Sequence, residues 1–153
     1  MSFEARIKEL GIEIPEPARP LAAYVPTVRT GNLVFVSGQL PTRGGELVAR
    51  GKLGEGVSLE DGQEAARVAA INALAALRAE LGSLDLVRRI VKLTGYVASA
   101  PGFVAQPQVI NGASELMQAV FGESGRHARA AVGVSELPNG APVEVELIAE
   151  VAI

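Results

Sequence analysis

Val143-Glu144-Val145-Glu146-Leu147-Ile148-Ala149-Glu150-Val151 alternates with a period of two: Val143, Val145, Leu147, Ala149 and Val151 fall on one face, Glu144, Glu146, Ile148 and Glu150 on the other. Successive side chains of an extended strand point to opposite sides, so this run reads as a strand with one buried face. Just upstream, residues 127–137 form a second β-prone run, and Leu137-Pro138-Asn139-Gly140 supplies turn residues between the two. The expectation is an antiparallel hairpin, 127–137 against 142–152, with Glu144 and Glu146 in the same sheet neighbourhood as Arg129.

Working outward, residues 88–99 alternate as a strand, with Val91, Leu93, Gly95 and Val97 on one face and Ile90, Lys92, Thr94 and Tyr96 on the other. Between this strand and the hairpin, an amphipathic helix follows Pro101-Gly102 and runs to about Phe121, burying Val109, Ala113, Leu116, Met117 and Val120. A longer helix is expected at 59–81, with Ser58 as N-cap, Asp61 at N3 and Gly82 as the C-terminal stop. Its Ala66, Ala70, Ala73, Leu74, Leu77 and Leu81 recur at three- and four-residue spacing, and the alanines permit close approach to a sheet. The glycine-rich stretch 42–57 reads as a loop with one short strand around Leu47-Val48-Ala49. Residues 24–30 and 33–39 are two strands joined by the turn pair Gly31-Asn32. Pro15, Pro17 and Pro20 end a short helix within 2–10 and give an extended lead-in. The expected order is β-β-β-α-β-α-β-β: an α+β fold, a mixed sheet with two helices packed on one face, comprising an N-terminal arm (1–20) and a single domain (21–153).

Composition excludes several function classes. The 153 residues are 48% hydrophobic and 20% charged with a net charge of −3, the balance of one compact domain. With no cysteine, thiolate nucleophiles and Cys-based metal centres are ruled out, and with His127 as the single histidine so is a multi-histidine metal cage; no metal or cofactor is expected. The opening Met1-Ser2-Phe3-Glu4-Ala5-Arg6 lacks the apolar run of a signal peptide, and no stretch approaches the ~20 apolar residues of a membrane span. A cytoplasmic location is the expectation. The basic residues form no cluster longer than Arg88-Arg89, and Trp is absent, so neither an electrostatic footprint nor a stacking platform for nucleic acid is visible. The glycines of 42–57 fit no phosphate-loop spacing, and Ser37 is not set in a nucleophile elbow.

Chemistry concentrates in Gly125-Arg126-His127-Ala128-Arg129-Ala130-Ala131-Val132-Gly133. Period two puts His127, Arg129, Ala131 and Gly133 on one face, so Arg129 projects among small neighbours and its planar fork of donors can hold a carboxylate bidentately. Two readings stand open: Arg129 grips an anion, or it pairs with a glutamate of the final strand. Glu144 and Glu146 either face solvent or hold a water beside an Arg-bound ligand. His127 has a structural reading and a catalytic one.

At these residues the sequence resembles the RidA/YjgF family, whose older name is endoribonuclease L-PSP. The resemblance rests on Tyr24 with Gly31-Asn32-Leu33-Val34-Phe35-Val36-Ser37-Gly38-Gln39, on Ala128-Arg129 with Leu137-Pro138 eight residues later, and on the closing Val143-Glu144-Val145-Glu146 strand. It implies a chorismate-mutase-like fold assembled as a homotrimer with ligand clefts between subunits. It also implies cofactor-free hydrolysis of small 2-imino acids to 2-keto acids and ammonia. On that basis Arg129 would clamp the substrate carboxylate, Glu144 would position the attacking water, and Tyr24, Gly38, Asn111, Ala131 and His127 would surround the substrate. Ala130 and Ala131 depart from the usual Ser and the frequent Cys after the arginine, and the arm and the 42–57 loop lengthen the chain, as in an extended, less characterised branch. A non-catalytic binder or sensor of small carboxylates using the same cleft is the alternative reading. Endoribonuclease action is a third, opposed by the acidic balance.

Overall fold

The structure is a computed structural model describing residues 2–17 and 23–153; Pro20 of the lead-in and the arm boundary expected at residue 20 lie outside the described residues. The elements are α1 (Phe3–Glu9), β1 (Thr27–Thr30), β2 (Leu33–Gln39), the short β3 (Thr42–Arg43), β4 (Glu46–Leu47), β5 (Lys52–Leu53) and β6 (Gly56–Val57), then α2 (Leu59–Leu81), β7 (Val87–Ala98), α3 (Gln106–Phe121), β8 (Ala128–Val134) and β9 (Val143–Val151). Five strands form one mixed sheet in the order β1-β2-β9-β7-β8, parallel only between β7 and β8. Helix α2 packs over β2 and β9, α3 over β7 and β8, and the two helices lie against each other.

Local chemistry sets the bounds of α2 and the β1–β2 turn where the sequence predicts them, while the strand expected from residue 24 begins at Thr27. Ser58 caps α2 by accepting the Asp61 amide at 3.1 Å, and Gly82 closes it in the left-handed region at φ 86°. Gly31 turns β1 into β2 at φ 58°, a conformation other residues rarely adopt. The final strand keeps its alternation throughout, with Val143, Val145, Leu147, Ala149 and Val151 all buried. Each such valine or leucine contributes roughly 1.5–3 kcal/mol. A one-residue slip would exchange them for three glutamates, so the register is firmly set.

The expected C-terminal hairpin does not form. The turn is present, with Asn139 and Gly140 at φ 61° and 75°, but β8 and β9 flank β7 on opposite sides and never pair. Helix α3, about 24 Å long at 1.5 Å per residue, returns the chain to the start of β7, so β8 runs parallel to β7. β9 then pairs with β7, whose Leu93 and Val97 offer a fully buried apolar face, where β8 offers mainly small residues. The eight residues of 135–142 suffice to cross two strand spacings, about 10 Å.

Two smaller expectations also change. A bulge between Ile90 and Lys92 shifts the phase of β7, so Ile90 joins Leu93 on the buried face and Val91 leaves it. The stretch 42–57 holds two short ladders, β3 with β4 and β5 with β6, in place of one strand in a loop. At the N-terminus, α1 docks on α3 through an edge-to-face pair of Phe3 and Phe121, centroids 4.9 Å apart, and Ile7 and Ile12 join the core.

Candidate functional site

Arg129 stands opposite Leu93 in β7, which in turn faces Leu147 in β9, so its side chain lies on the helix-covered face at the sheet's outer strand. α3 meets it with Asn111 and Ser114, three residues apart and therefore on one helix face. The Nη1 nitrogen of Arg129 donates to Asn111 Oδ1 at 2.7 Å and to Ser114 Oγ at 3.2 Å. Both hydrogens of that nitrogen are used, and among the described residues no protein acceptor meets Nε or Nη2. Ala131 follows on the same face, opposite Gly95.

His127 completes the cluster. Its Nδ1 lies 2.7 Å from the Gly125 carbonyl and its Nε2 2.9 Å from Ser114 Oγ. Burial holds its pKa below the ordinary histidine value; the Gly125 carbonyl opposes this and the nearby Arg129 charge adds to it. A neutral ring follows, with the proton on Nδ1, because a carbonyl can only accept.

The other face of the sheet carries the acidic group. Glu144 lies opposite Tyr96 and Glu146 opposite Thr94, all on the side without helices. Tyr96 donates a 2.5 Å hydrogen bond to Glu146 Oε1, which lifts the phenol to about 12. Burial, with the Glu146 charge behind it, raises the Glu144 carboxyl above the usual carboxylate range. Its carboxylate folds over Gly38, occupying the place a Cβ there would take, so the missing side chain of Gly38 is what lets Glu144 lie down. Tyr24, 47% exposed, precedes Val25, whose carbonyl accepts the Ser37 hydroxyl at 2.6 Å; this holds Tyr24 near the Gly38 end of β2.

The residues singled out in the sequence thus fall into two groups. Arg129, Asn111, His127 and Ala131 share the helix-covered face, and Gly38 and Glu144 touch on the open one. Since β7 separates β8 from β9, the shared neighbourhood expected for Arg129 with Glu144 and Glu146 is absent within one chain, and so is a salt bridge between them. Ser114 and Tyr96 were missed as functional residues. Ser114 was legible only as a polar residue three positions after Asn111 beside the stripe of Val109, Ala113 and Met117; Tyr96 shared a face with Thr94 and Lys92 but had no visible partner. Among the described residues no group of three His, Asp or Glu side chains converges to hold a metal ion, and no helix is long and apolar enough to cross a membrane.

The fold agrees with comparison to known proteins. Residues 4–151 match the family described as "YjgF/chorismate mutase-like, putative endoribonuclease", and the chain belongs to that family. Over 147 residues it is 46% identical to the Trypanosoma cruzi protein TCP17, covering 95% of this chain and 92% of that one. The crystal structure of a protein of unknown function from Agrobacterium tumefaciens superposes with a TM-score of 0.91 at 47% identity, covering 99% and 93% of the two chains. The E. coli TdcF structure, solved with bound serine, superposes with a TM-score of 0.66 at 26% identity over 88% of this chain and 92% of TdcF.

Proposed function

We propose that this protein hydrolyses small 2-imino acids to 2-oxo acids and ammonia in clefts between the subunits of a homotrimer. The observation that carries the reading is the state of Arg129: one guanidinium nitrogen is fixed by Asn111 and Ser114, and the Nε–Nη2 edge is left for a carboxylate. Arg129 clamps the substrate carboxylate, with Asn111 and His127 behind the grip and Ala131 and Tyr24 beside it. Glu144, seated over Gly38, holds the attacking water. One water O–H breaks as its oxygen bonds to C2 of the imine, and the C=N π electrons take up that proton at nitrogen; the hydroxyl proton of the resulting carbinolamine then passes to the amine as the C–N bond breaks and C=O forms, and ammonia leaves. An imine is already electrophilic, so a fixed orientation and a positioned water account for the chemistry. A carboxyl with a raised pKa suits the passage of a proton between water and the departing nitrogen.

Arg129 and Glu144 lie on opposite faces of one sheet, so a site using both takes them from two copies. The exposed Val28, Phe35 and Val132, at 53, 42 and 42%, support burial of the open face against a neighbouring copy. The serine in TdcF is a small carboxylate-bearing molecule of the class proposed.

The test is an amino-acid oxidase assay that generates 2-iminopropanoate or 2-iminobutanoate in situ, comparing wild type with Arg129→Ala. Acceleration by wild type alone is expected, with both proteins trimeric by sedimentation. If the folded wild type leaves imine decay unchanged yet binds 2-oxobutanoate through Arg129, the protein is a carboxylate binder. RNA cleavage abolished by Arg129→Ala would favour the ribonuclease reading.

A further inference from the structure

The geometry points to a one-way relay of hydrogen bonds, Arg129 to Ser114 to His127 to Gly125, in which His127 and Ser114 are positioning residues for the Arg129 fork. The directions follow from donor and acceptor capacity together with the neutral ring that burial favours. The Gly125 carbonyl accepts only, so His127 Nδ1 carries the proton and donates over 2.7 Å. Nε2 of the neutral ring is then an acceptor, and the Ser114 hydroxyl spends its one proton on it at 2.9 Å. Arg129 has no lone pair to offer, so its Nη1 donates to the oxygen of Ser114 at 3.2 Å. Each group has its donor and acceptor assigned: turning the Ser114 hydroxyl toward Arg129 would set two donors against each other, and moving the ring proton to Nε2 would leave Nδ1 and the Gly125 carbonyl as two facing acceptors.

Both partners of the histidine are tied to α3. Ser114, 7% exposed, lies in its middle. Gly125 packs so closely on its last turns that a Cβ would run into the Met117 carbonyl. The histidine therefore bridges the middle of α3 and the turn packed on its last turns, and cannot shift without moving one of them. With Asn111 taking the other Nη1 hydrogen, the guanidinium plane is fixed by two acceptors one turn apart. His127 acts on the ligand only through Ser114 and Arg129.

This inference rests on the carboxylate-gripping reading of Arg129, and its test separates the two. His127 is the single histidine, so protein labelled with 15N-histidine gives one pair of ring signals. Expected are a neutral ring protonated at Nδ1, and an Nε2 signal that moves on Ser114→Ala and, by a smaller amount, on Arg129→Ala. A ring protonated at Nε2, or an Nε2 signal unmoved by both substitutions, would overturn the relay whether or not any ligand binds.

Calorimetry with 2-oxobutanoate then reads positioning. Ser114→Ala and His127→Phe should each weaken binding about tenfold, the scale of one hydrogen bond to a charged group. His127→Gln, whose amide oxygen replaces the Nε2 acceptor, should restore it to within about threefold, with trimers intact throughout. Unchanged binding in Ser114→Ala and His127→Phe would refute the positioning role. Failure of wild type itself to bind would instead refute the carboxylate reading and, with it, this role, while the ring signals still decide whether the relay exists.

Discussion

The two faces of the sheet solve opposite electrostatic problems. On the helix-covered face a cation is surrounded by neutral acceptors, each satisfied and tied to one helix, so Arg129 is held rigidly with half its fork to spare. On the open face two carboxyls crowd together beside a phenol, and the strain appears in shifted ionisation: Glu144 and Tyr96 are both pushed up. One face is built for geometry, the other for proton affinity. A hydrolysis that needs an oriented anion and a proton carrier draws on both.

The comparison breaks most directly at Arg129. Arg129→Ala should lower kcat/KM by about a hundredfold or more, the scale of a lost charged clamp, with the fold kept; steady-state ammonia release measures it. Two glycine substitutions separate the faces. Gly38→Ala displaces only the end of the Glu144 side chain, so turnover should fall by about tenfold or more while stability stays within about 1 kcal/mol. Gly125→Ala meets the Met117 backbone, which cannot swing aside, and should cost about 1–3 kcal/mol in urea unfolding.

Smaller effects sharpen the contrast through pH. The lowered pKa of His127 means the native state binds fewer protons than the unfolded chain, so its contribution is full above the ordinary value of 6.5 and is lost as pH falls through the lowered value. Glu144 runs the other way: its contribution is full below the ordinary carboxylate value and is lost as pH rises through the raised one. Unfolding midpoints across pH should therefore lose part of their slope just below 6.5 in His127→Gln and part of their slope above the carboxylate range in Glu144→Gln. The smallest effect belongs to Tyr96. Phenolate absorbance should show one tyrosine ionising near pH 12, and Glu146→Gln should bring that step down by removing its first cause.

Several parts of this arrangement were legible in residue order. The face of β9, the bounds of α2 with its Ser58 cap and Gly82 stop, and the reversal at Asn139-Gly140 depend on contacts within a few residues, and the sequence states them directly. Arg129 and Asn111 were identifiable through a resemblance, and the structure joins them by a hydrogen bond. The hairpin failed because a turn signal reports that the chain reverses and says nothing of which strand it returns beside.

By itself, then, the sequence determined the class of fold, the buried face of β9, the bounds of α2 and the segment around Arg129 as a place for chemistry, since periodicity and capping are local codes. Only the tertiary structure decided that β7 stands between β8 and β9, that Arg129 and Glu144 face opposite ways, and that Ser114 links Arg129 to His127. Those outcomes depend on which distant surfaces bury the most apolar area and which donors then find acceptors across elements, a competition that no local spacing records.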